Sequence, residues 1–207
     1  MANRVIDLVN GEFYHIYNRG VDKRNIFESS HDYERFIDLL YLANSSKALS
    51  YRNIKSSKKG LFTYDREETL VSIGAYCLMP NHFHLLITPY SEESAAKFMS
   101  KLSTAYTMYF NKKNNRSGSL FQGTYKAKHA NSDEYLKYLF SYIHLNPSKA
   151  SLTRAKTYQY SSLFDYYSNQ RPEKNILDKK AFPEYFVNTQ DLDAELLGWL
   201  EYKNTEV

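Results

Sequence analysis

The chain has 207 residues, of which 43% are apolar and 24% charged, enough for one domain with a substantial core and an appendage. A single cysteine, Cys77, excludes an intrachain disulfide and a Cys-rich zinc site, no apolar run approaches the ~18 residues of a membrane span, and the Met1 end lacks a signal-peptide core. The net charge of +4 is mild, and a soluble, cytoplasmic protein is expected.

In chain order, Glu12 to Asn18 is aromatic and β-branched between Gly11 and Arg19-Gly20, which predicts a first strand with Phe13, His15 and Tyr17 on one side. Ser30 is an N-cap candidate for a helix carrying Tyr33, Phe36, Ile37, Leu40 and Tyr41 at helical spacing and ending at Asn44. Ser45 to Gly60 is polar and basic, with no periodicity, and is expected as a surface loop. Leu70 to Met79 is a nearly continuous apolar strand, and Pro80-Asn81 turns it into a second one, Asn81 to Thr88. Ser91 starts a helix running to about Lys112 with Ala96, Met99, Leu102, Tyr106 and Phe110 on one face. Leu120 to Ala130 is expected as a further strand, and Glu134 to about Leu145 as a helix stopped by Asn146-Pro147. Beyond Lys149 the pattern weakens to a short helix within Tyr158 to Tyr167 and a terminal one over Asp191 to Tyr202. The order strand, helix, two strands, helix, strand, helix suggests an α+β, ferredoxin-like antiparallel sheet with helices on one face plus one additional helix.

Chemistry concentrates at His82 and His84. Two residues apart on a strand, they share one sheet face while Phe83 and Leu85 take the other, so one face chelates and the other packs. Two neutral imidazoles on a rigid sheet make half of a divalent-metal site, although two polar residues on a half-exposed strand would have the same spacing. His15 has two readings, one facing the same site as His82 and His84 and the other, the simpler, a hydrogen-bonded sheet histidine. On the last well-defined helix Tyr135, Tyr138 and Tyr142 form one stripe, and Asn146 follows Tyr142 by one turn on the same side. A stripe of this kind is most often core; docked over the histidines, it would bring a phenol and an amide to a metal. His144, in the same helix, carries no assigned role beyond a polar helix surface.

Charge is unevenly placed. From Ala95 to Ser132 there is no acid, while Lys97, Lys101, Lys112, Lys113, Arg116, Lys126 and Lys128 fall there, and from Glu173 onward acids dominate. A local basic field suits a polyanion, of which nucleic acid is the usual one, with tyrosines available to stack unpaired bases. Arg19, after the first strand, joins those seven as a DNA-binding candidate.

Four ordered strings, YHIYNRG (Tyr14 to Gly20), AYCLMPNHFHLLI (Ala75 to Ile87), RSGSLFQGTYKAKH (Arg116 to His129) and YLKYLFSYIHLNPSKA (Tyr135 to Ala150), resemble the single-tyrosine transposases of the HUH superfamily, in the branch of REP-associated tyrosine transposases. The resemblance implies a catalytic domain over residues 1–165 and leaves 166–207 as an acidic extension. It implies His82, His84 and Asn146 as metal ligands, Tyr142 as nucleophile, Mg²⁺ or Mn²⁺ as the metal, and single-stranded DNA near a hairpin as substrate. A monomer and a homodimer both fit it. Two other expectations stay open at this point: a non-catalytic nucleic-acid-binding protein derived from such an enzyme, and a hydrolytic metallonuclease in which Tyr142 merely packs.

Overall fold

Antiparallel pairing joins β1 (Tyr14–Arg19), β2 (Val71–Met79), β3 (His82–Pro89) and β4 (Lys126–His129) in the order β2-β3-β1-β4, the ferredoxin-like arrangement. The structure, a computed structural model, describes residues 7–48, 51, 60–148, 151–168 and 170–205, so most of the basic stretch from Ser45 to Gly60 lies outside the described residues. The hairpin between β2 and β3 turns at Pro80-Asn81 as expected and is central to the site, because its register sets His82 opposite Met79 and His84 opposite Cys77. A register shift between Ile73 and Ala75 marks a bulge at Gly74, where the Phe182 ring comes so close that a side-chain carbon would lie 2.8 Å from it.

Alternation divides the sheet. Tyr14, Ile16, Ile73, Tyr76, Leu78, Phe83, Leu85 and Ile87 face a core closed by α1 (Ser30–Ala43) and α2 (Glu92–Lys113), with Phe36, Phe98, Leu102 and Tyr106 at its centre. Ala75, Cys77 and Leu86 face the other way, against α3 (Asp133–Leu145), whose Leu136, Leu139, Phe140 and Ile143 recur at helical spacing. The short α4 (Leu152–Thr157), α5 (Phe164–Tyr167) and the terminal α6 (Thr189–Thr205) complete this second layer. The carboxyl-terminal region contributes to both layers: Leu192, Leu196 and Leu200 are buried in the second, while Ile176 joins the first core.

Three details differ from expectation. The cap of α1 is Ser29, not Ser30, and it forms a capping box with Asp32. Leu120 to Tyr125 is not strand: Phe121 makes a single bridge to Gly20, the Gln122 amide donates to the Arg19 carbonyl at 2.8 Å, and Gly123 turns the chain at φ +73°. The expected helix within Tyr158 to Tyr167 shrinks to α5, because Ser161 and Ser162 run along β2 instead, with the Ser162 amide donating to the Tyr76 carbonyl at 3.0 Å.

Candidate active site

On the α3 side of the sheet, cross-strand register makes a polar patch at one end. His84 stands opposite Tyr17 on β1, His82 opposite Arg19, and Lys126 and Lys128 on β4 stand opposite Tyr17 and His15. His15 is the diagonal neighbour of His84, and the two rings meet, Nε2 of His15 at 2.8 Å from Nδ1 of His84 with centroids 4.9 Å apart. His82 and His84 are nearly orthogonal at 4.9 Å, and Nδ1 of His82 lies 2.6 Å from the Asn81 Oδ1. The direction of that amide is fixed by its Nδ2, which donates to the Lys23 carbonyl at 3.2 Å. Of the two readings open for His15, the structure shows both at once, a hydrogen-bonded sheet histidine on this face; its direct contact with His84, and the part played by Asn81, require the register and could not be read from spacing.

Burial holds these rings neutral. It drives His84 down to about 2, with the neighbouring His15 and His82 adding to the effect. It drives His15 down to about 4, with Lys128 adding, and it lowers His82 together with Arg19. Neutral imidazoles with available lone pairs are what a divalent cation requires.

The packing of α3 brings Tyr142 to the same place. Its Leu136, Leu139, Phe140 and Ile143 seat the helix, and the tyrosine stripe occupies the adjoining, half-buried face. Tyr135, Tyr138 and Tyr142 follow one another at 5.7 and 5.9 Å, and Trp199 of α6 backs Tyr138 edge-on at 4.8 Å. Tyr142 ends this row edge-on to His84 at 5.5 Å and to His15 at 5.9 Å between centroids. One turn on, the Asn146 Nδ2 donates to the Tyr142 carbonyl at 3.1 Å, leaving Oδ1 as the end of the amide that can accept or ligate. His144 is a correction: it does not lie on a polar helix surface but is fully buried, with Nε2 at 2.8 Å from the Ser162 hydroxyl.

The basic candidates separate into two groups. Arg19, Lys126 and Lys128 flank the histidines, and Arg19 and Lys126 line a cleft of about 370 Å³ together with Tyr17, Asn18, Lys23, Asn81, His82 and Gln122. Arg19 Nε donates there to the Gln122 side chain. Lys97, Lys101, Lys112 and Lys113 lie on α2, across the sheet, and Arg116 just beyond it. Within that group Lys113 is held by Asp32 at 2.7 Å, Lys101 donates to the Ser45 and Lys47 carbonyls at 2.5 and 2.6 Å, and Arg116 donates to Asn111 and to the Ser119 carbonyl.

Among the described residues no three His, Cys, Asp or Glu side chains cluster as a metal site, so an ion held by His82 and His84 would complete its shell from an amide, water or substrate oxygen. The donors that are present fit such an ion. Nε2 of His84 is buried and has no hydrogen-bond partner among the described residues, and the Asn81 oxygen engages Nδ1 of His82, which leaves Nε2 as that ring's lone pair.

A protein-family model described as "Transposase IS200 like" matches residues 37–146. A solved structure of a REP-associated tyrosine transposase bound to a REP hairpin resembles this fold with a TM-score of 0.52 at 11% identity, over 90% of this chain and 100% of that one. No curated protein matches the chain. No helix among the described residues is long and apolar enough to cross a membrane.

Proposed function

This chain belongs to the IS200-like transposases, and from that premise we propose that it cuts and rejoins single-stranded DNA through a covalent bond to Tyr142. The observation that carries the proposal is the convergence at His84: a histidine pair on β3 and a tyrosine on α3, 58 positions further along the chain, share one end of the sheet face. His82 and His84, through Nε2, and the Asn146 amide oxygen would hold a cation, Mg²⁺ or Mn²⁺, which would supply Lewis acidity at a non-bridging phosphate oxygen. The chain's own residues do the rest. The sheet fixes the imidazoles, α3 presents the phenol, and the row Tyr135, Tyr138, Trp199 holds the helix in register over them.

Attack by the Tyr142 oxygen on phosphorus forms a P–O bond and breaks the bond to the 3′ oxygen; the phenol loses its proton and the 3′ oxygen gains one. The products are a 5′-phosphotyrosine and a 3′-hydroxyl. Because the new ester conserves the phosphodiester, a second hydroxyl can displace the tyrosine without ATP, so one site serves cleavage and joining. Arg19, Lys126 and Lys128 line the approach for the strand's phosphates, and the hairpin seen in the related structure suggests a stem beside the cut.

The test is incubation with a single-stranded oligonucleotide flanking a hairpin, with Mn²⁺. The wild-type chain is expected to give a denaturant-resistant protein–DNA adduct, and Tyr142→Phe to bind the oligonucleotide without one. Cleavage with no adduct would instead indicate a hydrolytic nuclease. Binding with neither would indicate a nucleic-acid-binding protein.

A further inference from the structure

Both candidate ligand rings meet a partner at the same nitrogen. Nδ1 of His84 lies 2.8 Å from His15 Nε2, and Nδ1 of His82 lies 2.6 Å from Asn81 Oδ1. The second contact has one solution, because an amide oxygen only accepts and its own Nδ2 is engaged by the Lys23 carbonyl; the proton must sit on Nδ1 of His82. The first contact has two. If His15 donated, the proton of neutral His84 would be on Nε2, the buried atom that meets no acceptor among the described residues. A buried N–H without an acceptor is among the rarest groups in folded proteins, so the reverse arrangement is favoured, with His84 donating from Nδ1 and Nε2 left as a lone pair.

We propose that His15 and Asn81 are positioning residues that hold the protons of His84 and His82 on Nδ1, so that both rings turn a bare Nε2 toward one cation. This rests on the metal reading of the site given above. The physical reason is that a ligand imidazole whose other nitrogen is bound cannot rotate or change tautomer freely, and so loses less freedom when it takes a metal. Here the two constraints come from different elements: β1 supplies His15 through the diagonal of the sheet, and the hairpin turn supplies Asn81 one residue before its target. Neither residue touches the reacting atoms in this arrangement.

The metal-free protein allows a test by two-bond ¹H–¹⁵N correlation spectra of ¹⁵N-histidine-labelled chain at neutral pH, followed by calorimetric titration with Mn²⁺. The wild type is expected to show His82 and His84 as Nδ1–H tautomers and to bind Mn²⁺. His15→Phe, which keeps a flat ring in place, is expected to release the tautomer of His84 alone, and Asn81→Ala that of His82 alone. Each is expected to weaken Mn²⁺ about 10- to 100-fold. His15→Gln, whose side-chain oxygen accepts from Nδ1, is expected to recover most of the loss, and thermal melts identify any variant that has lost its fold. An Nε2–H tautomer at either ring of the wild type overturns the proposal whether or not Mn²⁺ binds. Unchanged Mn²⁺ affinity in both folded variants overturns it while leaving the metal reading intact, and a wild type that binds no Mn²⁺ removes that reading and the proposal with it.

Discussion

His84 is 5% exposed, with Nδ1 engaged by His15, whereas His82 stands half-buried at the rim of the Arg19 cleft. The same substitution therefore has unequal consequences. His84→Ala leaves a cavity and strips His15 of its partner, and is expected to cost about 2–3 kcal/mol of stability. His82→Ala removes a rim side chain and should cost under about 1 kcal/mol. Both are expected to abolish Mn²⁺-dependent cleavage, so chemical denaturation read beside a cleavage assay separates the two roles; equal stability losses would show that the burial difference is not felt. At this scale the sequence was informative where period two governs, since alternation alone set His82 and His84 on one face, whereas the place of His15 beside them needed the β1–β3 register. Burial of His144 was not legible, because its partner Ser162 comes from a segment with no periodic signal.

Among the contacts that tie α1 to α2 is a charge pair at the edge of the first core. Asp32, 0% exposed, closes the capping box of α1 and accepts from the Glu28 and Ser29 amides at 2.9 and 3.0 Å and from the Tyr109 hydroxyl at 2.8 Å, while Lys113 reaches it from the end of α2. Burial raises the Asp32 carboxyl, and the hydrogen bonds from Lys113, Glu28 and Tyr109 outweigh that and hold it below the ordinary carboxylate value. A depressed folded-state value means that the unfolded chain binds the proton more readily. The pair's contribution is thus complete above the unfolded carboxylate's roughly pH 4 and is lost as pH falls through the lower folded value. Asp32→Asn is expected to be less stable at neutral pH and to show a shallower loss of stability below roughly pH 4, measured by urea unfolding across pH; a parallel acid limb would mean that other carboxylates dominate. Lys113→Met leaves the buried carboxylate with the Glu28 and Ser29 amides, the Ser29 hydroxyl and Tyr109, and should cost about 2–4 kcal/mol, towards the low side because the ammonium is partly solvated. Sequence located α1, α2 and the β2–β3 hairpin to within two residues, since long apolar periods and turn residues mark them. It extended β4 too far, because Leu120 to Tyr125 has strand composition and turns at Gly123 into a bridge with Gly20. The pairing of Lys113 with Asp32 was not legible either, since a lysine's partner across two helices leaves no mark on its neighbours in the chain.

Across the whole molecule the sheet separates two sets of cations that the linear charge map merged into one basic span. Arg19, Lys126 and Lys128 lie beside the histidines, whereas Lys97, Lys101, Lys112 and Lys113 lie on α2, behind the first core. Among the described residues, acids of the carboxyl-terminal region pair with other lysines: Asp193 binds Lys156 at 2.6 Å and Glu195 binds Lys137 at 2.7 Å. If a single strand runs along the histidine face, each cation that neutralises a phosphate there contributes about 0.7 to the slope of log affinity against log salt. Arg19→Ala, Lys126→Ala and Lys128→Ala are each expected to weaken binding of an unpaired oligonucleotide and to reduce the slope by roughly that amount. Lys101→Ala and Lys113→Met, whose ammonium groups are held by carbonyls and by Asp32, are expected to leave the slope unchanged even where they lower the melting temperature. Fluorescence anisotropy at several salt concentrations measures both quantities. Equal slope losses from the α2 lysines would mean that the strand crosses the helical layer, which would place its scissile phosphate away from Tyr142 and leave the histidine face without its substrate.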